Sequence, residues 1–364
     1  MELRRLGLVV HGGKRRAIEA ARGLTAWAGE HGIDVAEIDV WSPDEHGHLR
    51  IEHSPPGTFD LVVTIGGDGT FLRGVAVAQA SNSPILGVNV GRVGFLTEVE
   101  PEHLIEALNA VMANEALEER RLTLTMRSSR PLRIPKELGA LLHYERGPTT
   151  EPPEVRADAA QETGWGIGMD VTALNDVVFE KLTRDRQASV AVYVGSRHFV
   201  SYSADALIIA TPTGSTAYSF AAGGPVVSPR AQVLVFTPVA AHMVFDRSLI
   251  VAADELVSVR VLERSGQVSM SIDGRIVGVL DPGDWVSVYA RPTEVRMLRL
   301  QEPDFFGRVR DRFGLVDAAA AAADGDSPVA HIPSTPKPDD MKHVHIPTPA
   351  LEAWTWPRAE SLDR

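Results

Sequence analysis

Apolar residues follow two rhythms along this chain, and the change falls near residue 120. Before it, short unbroken apolar runs alternate with stretches of helical spacing. Residues 6–10 form such a run, as do 61–65 and 84–89, with 34–40 a weaker one. Runs of this length predict strands buried on both faces. Between them, residues 16–31 place Ile18, Ala21, Leu24 and Ala28 on one helical face, and 71–79 and 101–114 also read as helices. Strands alternating with helices predict a parallel sheet covered by helices. Ligands bind such sheets beyond the carboxyl ends of the strands.

After residue 120 the runs are short and follow one another without long helical stretches. They cover 122–126, 171–178, 189–194, 198–201, 206–210, 232–237, 256–261, 268–272 and 285–289. This predicts a β-rich second domain. Residues 295–300 suit a strand returning to the first domain, and 305–313 a short closing helix. The expected division is an α/β domain over 1–120 and a β-rich domain over 121–300. A return segment follows over 301–316. A proline-containing insertion, 128–164, interrupts the second domain, and an alanine- and proline-rich tail over 317–364 is expected to be disordered.

Composition narrows the function. The chain has 364 residues, 44% of them hydrophobic and 23% charged, enough for ordinary soluble cores. A net charge of -12 argues against nucleic acid or an anionic membrane as partner. The absence of cysteine excludes disulfides, thiolate metal sites and cysteine nucleophiles. No secretory signal pattern and no apolar run of membrane-spanning length is present, so a cytoplasmic location is expected.

The strongest chemical signal is Gly66-Gly67-Asp68-Gly69-Thr70, set between the run 61–65 and the helical stretch 71–79. Glycines let a ligand approach the bare backbone, and a helix N-terminus offers free N–H groups to phosphate. Asp68 puts a carboxylate into that cradle. There it repels phosphate unless it binds a metal or takes a proton from a nucleophile, the two functions of phosphoryl transfer to a hydroxyl. The stretch is neither a Walker A loop nor a dinucleotide-binding Rossmann turn.

A second signal is Thr211-Pro212-Thr213-Gly214-Ser215-Thr216-Ala217-Tyr218, followed by Ala221-Ala222-Gly223-Gly224-Pro225. Hydroxyl and backbone donors at such density suit phosphates or ribose hydroxyls. A third is Asn175-Asp176, read as lying in the middle of a strand, where unpaired polar groups are costly, with a strand-end turn as the alternative. Asn can satisfy a base edge, and a carboxylate can accept two ribose hydroxyls. Phe95, in the glycine-spaced stretch 87–96, either stacks on a base or fills core. Asp273-Gly274-Arg275 reads as a hairpin turn. His11, Lys14 and Arg15 follow the first strand and either contact a phosphate donor or form a solvated loop.

In this order the motifs resemble the NAD kinase family, from about residue 6 to about 315, outside the insertion and the tail. Gly-Gly-Asp-Gly-Thr alone also occurs in diacylglycerol and sphingosine kinases. The Asn-Asp pair and the Thr-Pro-Thr-Gly-Ser-Thr-Ala-Tyr stretch separate NAD kinases from them. The resemblance implies an α/β domain with a parallel sheet and a β-rich C-terminal domain. It implies ATP-dependent phosphorylation of the 2′-hydroxyl of the adenosine ribose of NAD to give NADP. It also implies Mg²⁺ or another divalent cation and homodimers or homotetramers, and some members use polyphosphate as donor.

By resemblance Asp68 is the general base, with Gly67, Gly69 and Thr70 as the phosphate cradle. Phe95 is the adenine-side contact, and Asn175 and Asp176 hold adenine and ribose. Asp205 contacts the nicotinamide side, while Thr213, Thr216, Ala217 and Tyr218 line the nucleotide. His11 and Arg15 are donor-side residues. Two departures stand out: the family often has Asn-Glu in place of Asn175-Asp176, and Asp-Gly in place of Asp205-Ala206. If that glycine needs φ > 0, Ala206 costs about 1 kcal/mol. Two alternatives remain at this stage: a lipid or sphingoid kinase, and a nucleotide-binding regulator without catalysis.

Overall fold

The six residues of β3 (Leu61–Gly66) are all buried, as an unbroken apolar run requires. Leu61, Val63 and Ile65 join one core cluster and Val62 another, so the strand is covered on both faces. In the computed structural model, which describes residues 1–41, 57–91, 94–137, 152–156, 164–183, 186–316 and 339–345, β3 is central to a six-stranded sheet. It pairs in parallel with β1 (Arg5–Val10) and β4 (Ile85–Asn89), and β1 pairs in parallel with β2 (Asp34–Glu37). Helices α1 (Arg15–Glu30) and α3 (Leu104–Met112) cover one face through Leu24, Trp27, Leu104 and Leu108. Helix α2 (Asp68–Ser81) covers the other through Phe71, Val75 and Ala78. The helix expected over 101–114 opens with a 3-10 turn, Pro101–His103, before α3 begins.

The chain leaves this sheet by β5 (Leu117–Arg121). It then builds β6 (Leu124–Ser128), β7 (Ile167–Gly168), β8 (Asp176–Lys181), β9 (Ala188–Val194), β10 (Arg197–Ala204) and β11 (Ala206–Ala210). After the helical turns Gly214–Thr216 and Tyr218–Ala221 come β12 (Val233–Val239), β13 (Leu249–Ala252) and β14 (Val257–Val261). The run continues with β15 (Val268–Ile272), β16 (Arg275–Leu280) and β17 (Trp285–Ala290). These make two six-stranded antiparallel sheets, ordered β10-β9-β14-β17-β6-β7 and β13-β12-β11-β8-β15-β16. Side chains of both sheets, among them Met126, Val190, Val259, Phe179, Ile209 and Phe236, fill one shared core. The fold is therefore α/β followed by a β-rich part.

Strand β18 (Val295–Arg299) returns to the first sheet, parallel to β4 and antiparallel to β5. A closing helix, Phe305–Phe313, follows; the Asp304 carboxylate caps it by accepting from Gly307 N at 2.8 Å. Most of the insertion expected over 128–164 and most of the tail expected over 317–364 lie outside the described residues. Two sequence expectations change. Asp176 opens β8 and Asn175 just precedes it, so the pair lies at a strand start, as the turn alternative allowed, and not in the middle of a strand. Ala206 opens β11 without a positive φ, so the anticipated backbone cost does not arise.

Candidate active site

The strand-to-helix turn forms as its glycines dictate. β3 ends at Gly66, Gly67 is extended at φ -115 and ψ -169, and Asp68 is the first residue of α2. Asp68 thus stands in the first turn of a 14-residue helix, where acidic residues suit the positive end of the dipole. Asp68 Oδ2 accepts from Phe95 N at 3.0 Å, and Oδ1 accepts from Leu96 N at 3.2 Å. Gly94 permits this approach, because a Cβ there would lie 2.1 Å from Asp68 Oδ1. Two amides fix the carboxylate and leave it lone pairs for a further donor.

A cavity of about 360 Å³ opens beside this turn. Gly67, Gly69, Thr70, Leu72 and Arg73 supply one wall, His11, Lys14 and Trp41 a second, and Asp273-Gly274-Arg275 a third. His11 N donates to Ile65 O at 2.9 Å, and the His11 Nδ1 accepts from Gly13 N at 3.2 Å. The His11 ring lies 5.2 Å from that of Trp41, whose Nε1 donates to Val10 O at 2.8 Å. Arg73 donates to Val40 O at 2.8 Å and lies 4.1 Å from the Trp41 ring.

The third wall is the β15–β16 turn. Asp273 and Gly274 are left-handed, at φ 46 and 76, as a two-residue Asp-Gly hairpin requires. The turn also has a second role that its local sequence hides. The buried Asp273 carboxylate accepts from the backbone N of Leu174 at 3.0 Å, Asn175 at 2.8 Å and Asp176 at 3.2 Å. It thereby fixes the start of β8 to the hairpin turn that walls the cavity. Asp176 is itself 4% exposed. Burial, with the Asp273 charge beside it, pushes its carboxyl up to about 8. Burial raises Asp273 too, against the opposing pull of three amides and Arg275.

The hydroxyl-rich stretch meets the same segment. Thr211 N donates to Asn175 O at 2.8 Å, and Thr211 Oγ1 donates to Leu174 O at 2.5 Å. A Cβ on Gly214 would lie 2.0 Å from Asn175 O. Thr216 Oγ1 donates to Thr213 O at 3.2 Å; Ala217 precedes the turn Tyr218–Ala221, and Tyr218 is exposed.

Phe95 lies with its ring 6.3 Å from Phe305 and 6.0 Å from Phe313 of the closing helix, and Phe220 stacks on Phe313 at 4.2 Å. Of the expected site residues, His11, Gly67, Gly69 and Thr70 line the cavity; Asp68, Phe95, Asn175, Asp176 and the stretch from Thr213 to Tyr218 do not. Arg15 is exposed, pairs with Glu19 at 2.7 Å and does not line the cavity, whereas its neighbour Lys14 does. Asp205 lies at the opposite end of β11 from Thr211, where it accepts from Lys181 Nζ at 2.6 Å.

A charge ladder that sequence reading missed joins these parts. Arg121 Nη1 donates to Thr213 Oγ1 at 3.1 Å, and its Nη2 to Glu119 at 2.6 Å. Arg299 Nε donates to Glu119 at 2.8 Å, and its Nη1 to Leu96 O at 2.9 Å. Arg308 closes the ladder on Glu98 at 2.6 Å. Burial pushes the Glu119 carboxyl up, but Arg299 and Arg121 outweigh it and hold it below its usual value. The ladder thus ties Thr213 to the loop whose amides hold Asp68. Among the described residues, no group of three or more His, Asp or Glu converges as a metal cage. No described helix is long and apolar enough to cross a membrane.

Comparisons agree with this arrangement. The ATP-NAD kinase N-terminal domain matches residues 6–116, and the ATP-NAD kinase C-terminal domain matches 174–300. The chain is 55% identical over 352 residues to NAD kinase 1 of Streptomyces coelicolor, covering 97% of each. It is 53% identical to NAD kinase 1 of Streptomyces avermitilis, over 95% of this chain and 97% of the relative. Its fold is similar to that of a yeast NADH kinase crystallised with NADH (TM-score 0.65, 20% identity, 91% of each chain). It is also similar to an Archaeoglobus fulgidus NAD kinase in complex with ATP (TM-score 0.55, 22% identity, 85% of this chain and 96% of that one). With both family domains matched in order, the first of them containing Asp68, the chain belongs to the NAD kinase family.

Proposed function

We propose that this NAD kinase transfers the γ-phosphoryl group of ATP to the 2′-hydroxyl of the adenosine ribose of NAD, with Asp68 as general base. The observation that carries the reading is the Asp68 carboxylate itself. It is anchored by Phe95 N and Leu96 N at the mouth of a helix N-terminus, beside a cavity that contains Lys14, Arg73 and Arg275. Asp68 takes the hydroxyl proton as the ribose oxygen attacks the γ-phosphorus and the bond to ADP breaks. The Gly69 N–H at the start of α2 stabilises charge on the transferring group, while the Thr70 N–H is spent on Gly67 O at 2.9 Å. Asn175 and Asp176, with the stretch from Thr213 to Tyr218, orient the adenosine of NAD, and His11 belongs to the donor side.

A divalent cation fits these residues. Mg²⁺ binds nucleotide phosphates through one or two carboxylates and its own water, not through a protein cage. Asp68 is the carboxylate here that retains free lone pairs, whereas Asp273 spends its oxygens on three amides. When bound, the cation supplies neutralisation of phosphate charge. Homo-oligomeric assembly and a cytoplasmic location belong to the same reading. The test is the purified chain with Mg²⁺, ATP and NAD, and NADP detected by a strictly NADP-dependent dehydrogenase. NADP is the expected product; its absence with intact nucleotide binding would leave only a binding protein.

A further inference from the structure

The cavity beside Asp68 holds more positive charge than the general base or the acceptor contacts require. Arg73 enters it from α2 and Arg275 from the first residue of β16, so the two guanidinium groups come from opposite sides of the junction between α2 and the β15–β16 hairpin. Arg73 is held in place by Val40 O and by the Trp41 ring. Arg275 is 8% exposed, and its Nη1 is buried with no hydrogen-bond partner. The neighbouring Asp273 has committed its oxygens to the amides of residues 174–176.

A buried donor without a partner is costly, and so are two desolvated like charges. Burial, with the charge of Arg275 acting in the same direction, lowers Arg73 to about 10. Burial lowers Arg275 as well, against the pull of Asp273. An anion between the two groups relieves both penalties at once. Lys14 lines the same space, and Gly67, Gly69 and Thr70 present the start of α2 to it. This concentration of cations stands in a chain of net charge -12, so it is a local feature and not a consequence of composition.

We propose that Arg73 and Arg275 form a two-sided guanidinium clamp for the phosphate chain of the nucleoside triphosphate donor. The proposal rests on the reading of this cavity as the donor side. Planar guanidinium groups suit the task, because each can give two parallel hydrogen bonds to phosphate oxygens. The Arg275 turn also fixes Asn175 and Asp176, so donor and acceptor contacts share one rigid hairpin.

The test compares R275K, R73Q, K14M and H11A in the full chain. Calorimetry measures binding of inorganic tripolyphosphate, of a non-hydrolysable ATP analogue and of NAD, and steady-state assays give the Michaelis constant for ATP. R275K keeps a cation beside Asp273 but loses the planar fork, and R73Q alters a half-buried position. If R275K fails to unfold cooperatively, R73Q decides alone. The clamp predicts that R275K and R73Q weaken tripolyphosphate binding and raise the ATP constant by about 10- to 100-fold, with NAD affinity within about twofold. Unchanged donor binding in both variants overturns it. If K14M or H11A then weakens donor binding, the clamp alone is wrong and the cavity is still the donor side. If none of the four does, the donor-side reading falls too. Loss of NAD affinity in place of donor affinity would assign the cavity to the acceptor and also overturn the clamp.

Discussion

One missing Cβ, at Gly94, sets where the Asp68 carboxylate rests. Gly94→Ala puts a methyl group 2.1 Å from Asp68 Oδ1, so the carboxylate or the loop must move. A displacement of about 1 Å at a reacting group can cost on the order of 10² in rate. We expect kcat to fall by about that factor while the fold persists; kcat unchanged would mean that the amides of Phe95 and Leu96 do not set the position of the base. Asp176 makes a different prediction. Its folded-state value of about 8 lies above the unfolded value of about 3.9, so the folded protein holds an extra proton between them. Stability conferred by that proton is present at low pH and is lost as pH rises from about 4 to 8. Asp273 and Arg275 face the same site, and the Asp273 charge strengthens the effect. Asp176→Asn should flatten this slope and gain at least about 1 kcal/mol at pH 8 relative to wild type, measured by denaturant unfolding at pH 5 and 8. Equal slopes would show that Asp176 is ionised throughout. At this scale Asp68 was legible because its turn is contiguous in sequence. Asp273 was not, since its three amide partners lie 97 to 99 residues away.

Among the elements, the buried strands of the first sheet were legible because both their faces are covered, which forces unbroken apolar runs. Strand β5 escaped notice. Its sequence, Leu-Glu-Glu-Arg-Arg, has no strand pattern, and it forms by pairing with β18 some 175 residues later. Its charges are used in the ladder, where Glu119 meets both Arg121 and Arg299. Arg299 is 2% exposed, so Arg299→Met leaves Glu119 and Glu98 short of a buried partner. Breaking a buried pair this way costs about 3–5 kcal/mol. Thermal and urea unfolding should show a loss of that order; a loss below about 1 kcal/mol would mark the ladder as no better than a surface pair. Asn175 and Asp176 were placed inside a strand because apolar residues flank them. The Asp273 carboxylate instead occupies the amides of 174–176, so the ladder of β8 begins only at Asp176.

For the whole molecule, the chain passes from the first sheet to the paired sheets after β5 and returns at β18. The proposed site lies where the two parts meet, with the β3–α2 turn on one side and the β15–β16 turn on the other. The change of rhythm near residue 120 made this two-part plan legible. The meeting of the Asp68 and Arg275 turns was not, because no local pattern records a contact between elements separated by more than 200 residues. The overall account stands on Asp68 as the group that takes the ribose proton. Asp68→Asn keeps the shape of the side chain and its place at the start of α2, but the amide accepts no proton. The decisive measurement is NADP formation by this variant, beside calorimetric NAD binding. The account predicts a rate lower by about 10²–10⁴ with NAD still bound. NADP formation at the wild-type rate would contradict it.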